Sequence, residues 1–372
     1  MIIKIFDTFN AELKNIWDDC FIDSNSTIFQ EYQWLYHWHI TFSDFLQTKL
    51  YINVIYKNNT VIGILPLCIN NRNKLSILEW IGVGVSDYLQ PIIKSKEKIT
   101  IDEYNFIFEK VLKDNKYIDL IHLTNIPDKI RGYKSCFVES HKCKKISSSY
   151  RIIIDSDFNE FVKDNNSVLK SVKDLKRLEN NLNKIDQTKY LEHRDYKNRF
   201  LATNQMISLK EKQYNTSGVK NIFENNVFKK FYLELLKYRN FQKKIHISSL
   251  VQENNVIAVH YGLVDDYNYY YLMPAYSDKW KKSSPGGILM KKIIEYAFNN
   301  KFHKFDFLPG NENYKIKWSN NMINTYEYIL PISAKGYILY SFIKIKNLLK
   351  KSAFIKKNLY FFKVKLKNYK KK

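Results

Sequence analysis

The chain has 372 residues, of which 45% are apolar and 16% aromatic, and a formal net charge of +23. That length predicts two domains with extensions, and that apolar content excludes disorder for most of the chain. Four cysteines without a C-x-x-C pair exclude a disulfide framework, and Cys136, His141 and Cys143 lack the spacing of a zinc site, so no metal is expected.

Met1–Asp7 is too short and too soon charged for a signal peptide, and no apolar run reaches the roughly 20 residues of a membrane span. A soluble, reducing, cytoplasmic setting is expected. After Glu327 there is no acidic residue, and residues 335–372 carry 13 lysines, which leaves +10 for the rest. The basic tail therefore needs its own explanation.

In chain order, Trp34, Leu35, Trp38 and Phe42 share one face of a helix predicted over residues 30–45. A hairpin follows, with arms at 51–56 and 61–67 around Asn58-Asn59. A strand near 75–81, a helix over 101–113 and a strand over 117–123 complete a first unit. The run Lys144-Lys145-Ile146-Ser147-Ser148-Ser149 reads as a linker. Beyond it, residues 166–183 form a charged helix with one apolar stripe, read as a solvated helix packed on one side. Helices over 196–213 and 227–240 precede a second hairpin, 245–251 and 256–262, turning at Glu253-Asn254-Asn255. A tyrosine-rich strand over 267–276 then leads through Ser283-Ser284-Pro285-Gly286-Gly287 into a helix over 288–299 and a strand over 304–308. Helices, hairpin and strand–helix–strand thus occur twice. The predicted organisation is an N-terminal unit over 1–145, a C-terminal unit carrying the cofactor site over 146–332, and a basic tail over 333–372.

This order resembles the GNAT acyltransferase fold, and two such units in one chain resemble the FemABX group and the CelD-type acetyltransferases of polysaccharide biosynthesis. The resemblance rests on Gly82-Val83-Gly84-Val85-Ser86-Asp87-Tyr88-Leu89-Gln90-Pro91 and on Phe305-Asp306-Phe307-Leu308-Pro309-Gly310 with Tyr314, Lys315 and Trp318. It implies an α/β fold of two tandem units with mixed sheets, acetyl-CoA or another acyl-CoA as co-substrate, and an amino-sugar or glycan-precursor acceptor. One departure stands out: the usual Gln/Arg-x-x-Gly-x-Gly/Ala turn is here Lys281-Lys282-Ser283-Ser284-Pro285-Gly286-Gly287.

Ser284 as N-cap and Pro285 at the first helical position would leave the N–H groups of Gly286, Gly287 and Ile288 at the positive end of the helix, where a pyrophosphate can approach. Lys281 and Lys282 would add charge. An ordinary Ser-Pro capped turn is the competing reading. The fold that the chain resembles implies a splayed strand whose amide, at Leu272 or Met273, meets the thioester carbonyl, with Pro274 able to end the pairing. The base that deprotonates the amine is sought at Asp306, equally well read as a structural aspartate, and as a weaker candidate at His260, which reads first as a hydrogen-bonded sheet histidine. Asp87 and Tyr88 are candidates for the acceptor or for a turn with a packing tyrosine. Tyr314, Lys315 and Trp318 are further acceptor candidates, Lys315 and Trp318 sharing a face if helical.

In the tail, Ile338, Phe342, Ile345 and Leu349, then Ile355, Leu359, Phe362, Leu366 and Tyr369, recur at helical spacing among lysines. Such a helix suits an anionic membrane surface across residues 338–369, peripheral at the inner face. A helix packed on its own domain, or an arm on RNA, are the alternatives. The leading functional expectation is an acetyl-CoA-dependent N-acyltransferase. Its rivals are a FemABX-like transferase using aminoacyl-tRNA, the one setting in which nucleic acid is expected, and a non-catalytic glycan- or membrane-binding module.

Overall fold

A computed structural model describes residues 1–351 apart from 73 and 218. The first half contains β1 (Ile2–Phe6), α1 (Ala11–Ile22), α2 (Tyr32–Leu46), β2 (Thr48–Lys57), β3 (Thr60–Arg72), β4 (Leu75–Trp80), β5 (Ile92–Ile93), α3 (Ile101–Asp114), β6 (Leu120–Pro127), the small strands β7 (Lys129–Ile130) and β8 (Tyr133–Lys134), and α4 (Cys136–Ser140). The second contains β9 (Lys144–Ile153), α5 (Phe158–Asp164), α6 (Asn166–Asn183), β10 (Lys189–His193), α7 (Tyr196–Ser217), α8 (Asn226–Leu235), β11 (Ile245–Gln252), β12 (Asn255–Val264), β13 (Asn268–Tyr276), α9 (Pro285–Asn299), β14 (Lys304–Pro309), α10 (Asn313–Trp318), β15 (Asn321–Pro331) and α11 (Ala334–Lys351).

The two hairpins, β2–β3 and β11–β12, turn alike. Asn58 and Asn59 have φ of 49° and 60°, and Glu253 and Asn254 have 49° and 59°. Two consecutive left-handed residues give the mirror-image turn whose twist suits a hairpin. In each unit the hairpin leads into strand–helix–strand, and the two flanking strands pair in parallel, β4 with β6 and β13 with β14. A helix is the connection such parallel pairing requires.

All these strands except β7 and β8 form one sheet, in the order β1-β2-β3-β4-β6-β15-β9-β14-β13-β12-β11-β10, with β5 beside β3. Residues 144–149 are therefore no linker. They open β9, which pairs along its length with β15. The serines read as loop because their partners lie about 175 residues away in sequence. β15 lies between β6 and β9, so the last strand joins the two units. One apolar core also spans them: Trp34 packs edge-on against Phe231 at 5.0 Å, in a cluster that runs to Tyr261 and Met273. A second core lies under α9 and a third around α3. No helix among the described residues is long and apolar enough to cross a membrane.

Candidate active site

The parallel pairing of β13 and β14 covers only Asn268–Lys304, Tyr269–Phe305 and Tyr270–Asp306. Beyond Tyr270, β13 follows β12 alone, after a register shift between Tyr261 and Leu263, to Ala258–Tyr276. β14 turns away through Leu308, at φ 63°, and Gly310, at φ 146°. A positive φ is strained for leucine, and the Asp306 carboxylate holds it by accepting the Leu308 N–H at 2.8 Å. Between the parted strands lies a cavity of about 350 Å³, which continues past Lys210, Tyr214, Tyr271, Pro274, Glu312 and Tyr314 into one of about 700 Å³. Pro274 and Tyr276 present their carbonyls to Lys210 Nζ at 2.8 Å and Gln213 Nε2 at 3.2 Å, so α7 roofs the passage.

The outer cavity ends at the N-terminus of α9, where Lys281, Ser284, Gly286 and Gly287 line it. Gly286 and Gly287 donate no hydrogen bond to the described residues there, whereas the Ile288 N–H is already given to the Ser284 carbonyl at 3.0 Å. In the first unit the corresponding helix, α3, is closed: Thr100 and Glu103 form a capping box, and Asp102 adds a second carboxylate. Two carboxylates at that end repel a phosphate, so of these two helices α9 is the one with an uncapped N-terminus.

The inner cavity ends at residues 84–87. Gly82 and Gly84, at φ 101° and 93°, turn the chain there. Trp38 Nε1 donates to the Val83 carbonyl at 3.0 Å, Trp34 Nε1 to Ser86 Oγ at 2.8 Å, Asn125 Nδ2 to the Ser86 carbonyl at 3.0 Å, and Gln30 Nε2 to the Tyr88 carbonyl at 2.6 Å. Every backbone turn of this loop is tied down, yet the Asp87 carboxylate accepts no hydrogen bond from the described residues. It keeps some surface open to the cavity while protein encloses it on all sides. Burial raises its pKa to about 7, with Lys315 opposing and Asp306 adding to the shift.

Residues 170–316 match the family model for an acetyltransferase (GNAT) domain. That match falls within the second unit. The tandem α/β fold expected from the sequence extends over the described residues, and the family match marks the protein as a transferase. Its fold is similar to that of FemX, with a TM-score of 0.61 at 11% identity over 91% of this chain and 99% of that one. A conserved protein of unknown function from Bacteroides thetaiotaomicron VPI-5482 gives 0.54 at 10% over 88% and 100%. L-PGS from Bacillus licheniformis gives 0.52 at 10% over 91% and 97%. At such identities the likeness is one of fold. No curated protein matches the sequence.

In the matched region the departed phosphate turn keeps its shape. Ser284 stands where the usual motif has its first glycine, and it adopts the glycine-like left-handed conformation, φ 49° and ψ 49°. It makes no side-chain cap, contrary to expectation, because its left-handed backbone is not the extended conformation from which an N-cap side chain reaches the helix amides; Pro285 does occupy the first turn. Gly287 serves packing as well, since a Cβ there would lie 2.9 Å from Leu175 on α6.

Of the expected residues, Asp87, Leu272, Met273, Tyr314 and Lys315 line the inner cavity, and Lys281, Ser284, Gly286 and Gly287 the outer one. Lys282 and Ile288 do not; Ile288 is in the core under α9. Met273 stands opposite Tyr261 in the β12 ladder, which leaves Leu272, at the register shift, beside the gap. Pro274 does not end the pairing, for it still faces His260.

Asp306 lies outside the cavity. Arg151 Nε at 2.7 Å, Ser149 Oγ at 3.0 Å, the Leu308 amide and the Tyr88 hydroxyl at 2.9 Å use up its oxygens. A carboxylate so occupied is a structural anchor, not a base. Tyr88, fully buried, contacts Asp306 and Ser149 instead of an acceptor, so the two sequence signatures meet through it. His260 is buried too, its ring stacked 4.3 Å from Tyr271, and burial holds its pKa well below the usual range. Trp318 belongs to the core.

Sequence reasoning missed Lys210, Asn125 and Glu312. Lys210 lies on a helix with charges on every side, so its position gave no signal; burial lowers its pKa to about 8. Among the described residues no cluster of His, Cys, Asp and Glu fits a metal ion, and His141 stacks on Phe137.

Proposed function

We propose that the protein moves an acyl group from a CoA thioester to a primary amine carried by an amino sugar or another polysaccharide precursor. The observation that carries this reading is Asp87, an unpartnered carboxyl with a pKa of about 7 where the strands part. A carboxylate of that basicity takes the proton from an attacking ammonium near neutral pH. The amine nitrogen then bonds to the carbonyl carbon, the C–S bond breaks, and the thiolate leaves as a thiol by taking up the second proton that the nitrogen sheds. The Leu272 N–H stabilises the oxyanion, worth on the order of 3 kcal/mol in comparable sites. The Gly286 and Gly287 amides, with Lys281, receive the pyrophosphate at the head of α9. The acceptor is polar because its pocket is: Asn125, Glu312 and Lys315 stand around Asp87.

Asp87→Asn is expected to lower kcat by about 10²–10⁴ while acetyl-CoA binds as before in a calorimetric titration. Undiminished turnover removes Asp87 from the chemistry. A second reading, with aminoacyl-tRNA as donor, draws on the net charge of +23 and on Pro285, which removes one amide from the phosphate turn. Salt-sensitive tRNA binding without any heat from millimolar acetyl-CoA would select it.

A further inference from the structure

α11 is pinned to the body at its start. The Ile332 N–H donates to the Asp119 carbonyl at 2.9 Å, the Ser333 hydroxyl bonds the Asp119 carboxylate, and Gly336 is buried there. At about 100° per residue the helix has two unlike sides. Leu339, Tyr340, Ile343 and Asn347 are half-buried. The opposite side, within roughly 140° of arc, carries Tyr337, Ile338, Phe342, Ile345, Leu348 and Leu349, each between 44% and 68% exposed. Lys344 borders this apolar strip on one flank and Lys335 and Lys346 on the other.

A strip of six large apolar side chains, interrupted by Ser341 whose hydroxyl is turned back to the Tyr337 carbonyl, calls for a partner, and charge decides which. Residues 352–372 lie outside the described residues, as do Ile355, Leu359, Phe362, Leu366 and Tyr369 of the expected stripe; they hold eight lysines and no acid. Neither that segment nor a second copy of α11 complements the lysine borders. We infer that α11 lies flat in the interface of an anionic lipid membrane, its apolar strip among the acyl chains and its lysines at the headgroups. Lysine stems run along apolar surface while their ammonium groups stay at the polar layer, which makes the two borders part of the same contact. The pinned end lies next to the first residue of β6, whereas Asn125, in the wall of the cleft, lies toward its last. About 20 Å of strand separates them, so lipid contact leaves Asp87 clear.

The test is co-sedimentation of the full chain with phosphatidylcholine vesicles, with and without one third phosphatidylglycerol. Binding is expected with the anionic vesicles only, weakening with salt. The double variant Phe342→Glu/Leu349→Glu is expected to bind them about tenfold less or weaker, with its melting temperature unchanged because neither side chain enters a core. Undiminished sedimentation of the variant, or none by the parent, overturns the inference. So does a dimer of the parent that the variant loses, which assigns the strip to a second copy. RNA binding in place of vesicle binding overturns it as well.

Discussion

Asp87 and Asp306 are both carboxylates within the same junction, and their surroundings give them opposite roles. Asp306 is surrounded by donors, whereas Asp87 accepts no hydrogen bond from the described residues, and burial leaves it basic. The rate of the chemical step is expected to rise with pH through about 7 as Asp87 loses its proton, and Asp87→Asn should flatten that limb. Stability moves the other way. The folded pKa of Asp87 exceeds its ordinary value of 3.8, so its contribution falls as pH climbs from about 4 to about 7. Asp87→Asn should therefore melt higher than the parent at pH 8, with the gap narrowing toward pH 4. Asp306→Ala is expected to cost about 3–5 kcal/mol in urea denaturation, because it strands the buried Arg151 guanidinium.

At the scale of elements, the turn into α9 shows how a motif can change residues and keep its backbone. Ser284 spends about 1 kcal/mol holding a left-handed conformation. Ser284→Gly should return that amount, seen as a higher urea midpoint at unchanged slope. Gly287→Val should cost about 1–3 kcal/mol by pressing on Leu175. Much of this region was legible beforehand, since the asparagine turns, the tyrosine strand and the Ser-Pro-Gly-Gly start are local signals. What was illegible depends on distant partners. Nothing near Ser147-Ser148-Ser149 marks a strand, because the ladder that makes it one comes from β15. Asp306 reads equally as base or anchor until Arg151, Ser149 and Tyr88 are brought around it, from up to 218 positions away. Asp87 was visible as an acceptor residue, but its lack of any hydrogen-bond donor is a property of the folded loop alone.

The whole molecule is bound into one unit by the shared sheet and by the core that runs from Trp34 to Tyr261. Scanning calorimetry is accordingly expected to give one cooperative transition and not two. Three histidines are buried without charge: burial lowers His37 to about 4 and His246 to about 3, and holds His260 far down as well. Each binds a proton more readily unfolded, so their support is lost as pH falls below 6.5. The urea midpoint of the Asp87→Asn protein, free of the opposing aspartate, should drop between pH 7 and pH 5.

The position of β15 has a consequence for synthesis. Until residues 321–331 emerge from the ribosome, β6 and β9 stand in the nascent chain with bare edges where the finished sheet is continuous. Such edges invite pairing with neighbouring chains. A premature stop before codon 321 should therefore yield clumped polypeptide, not a smaller folded protein.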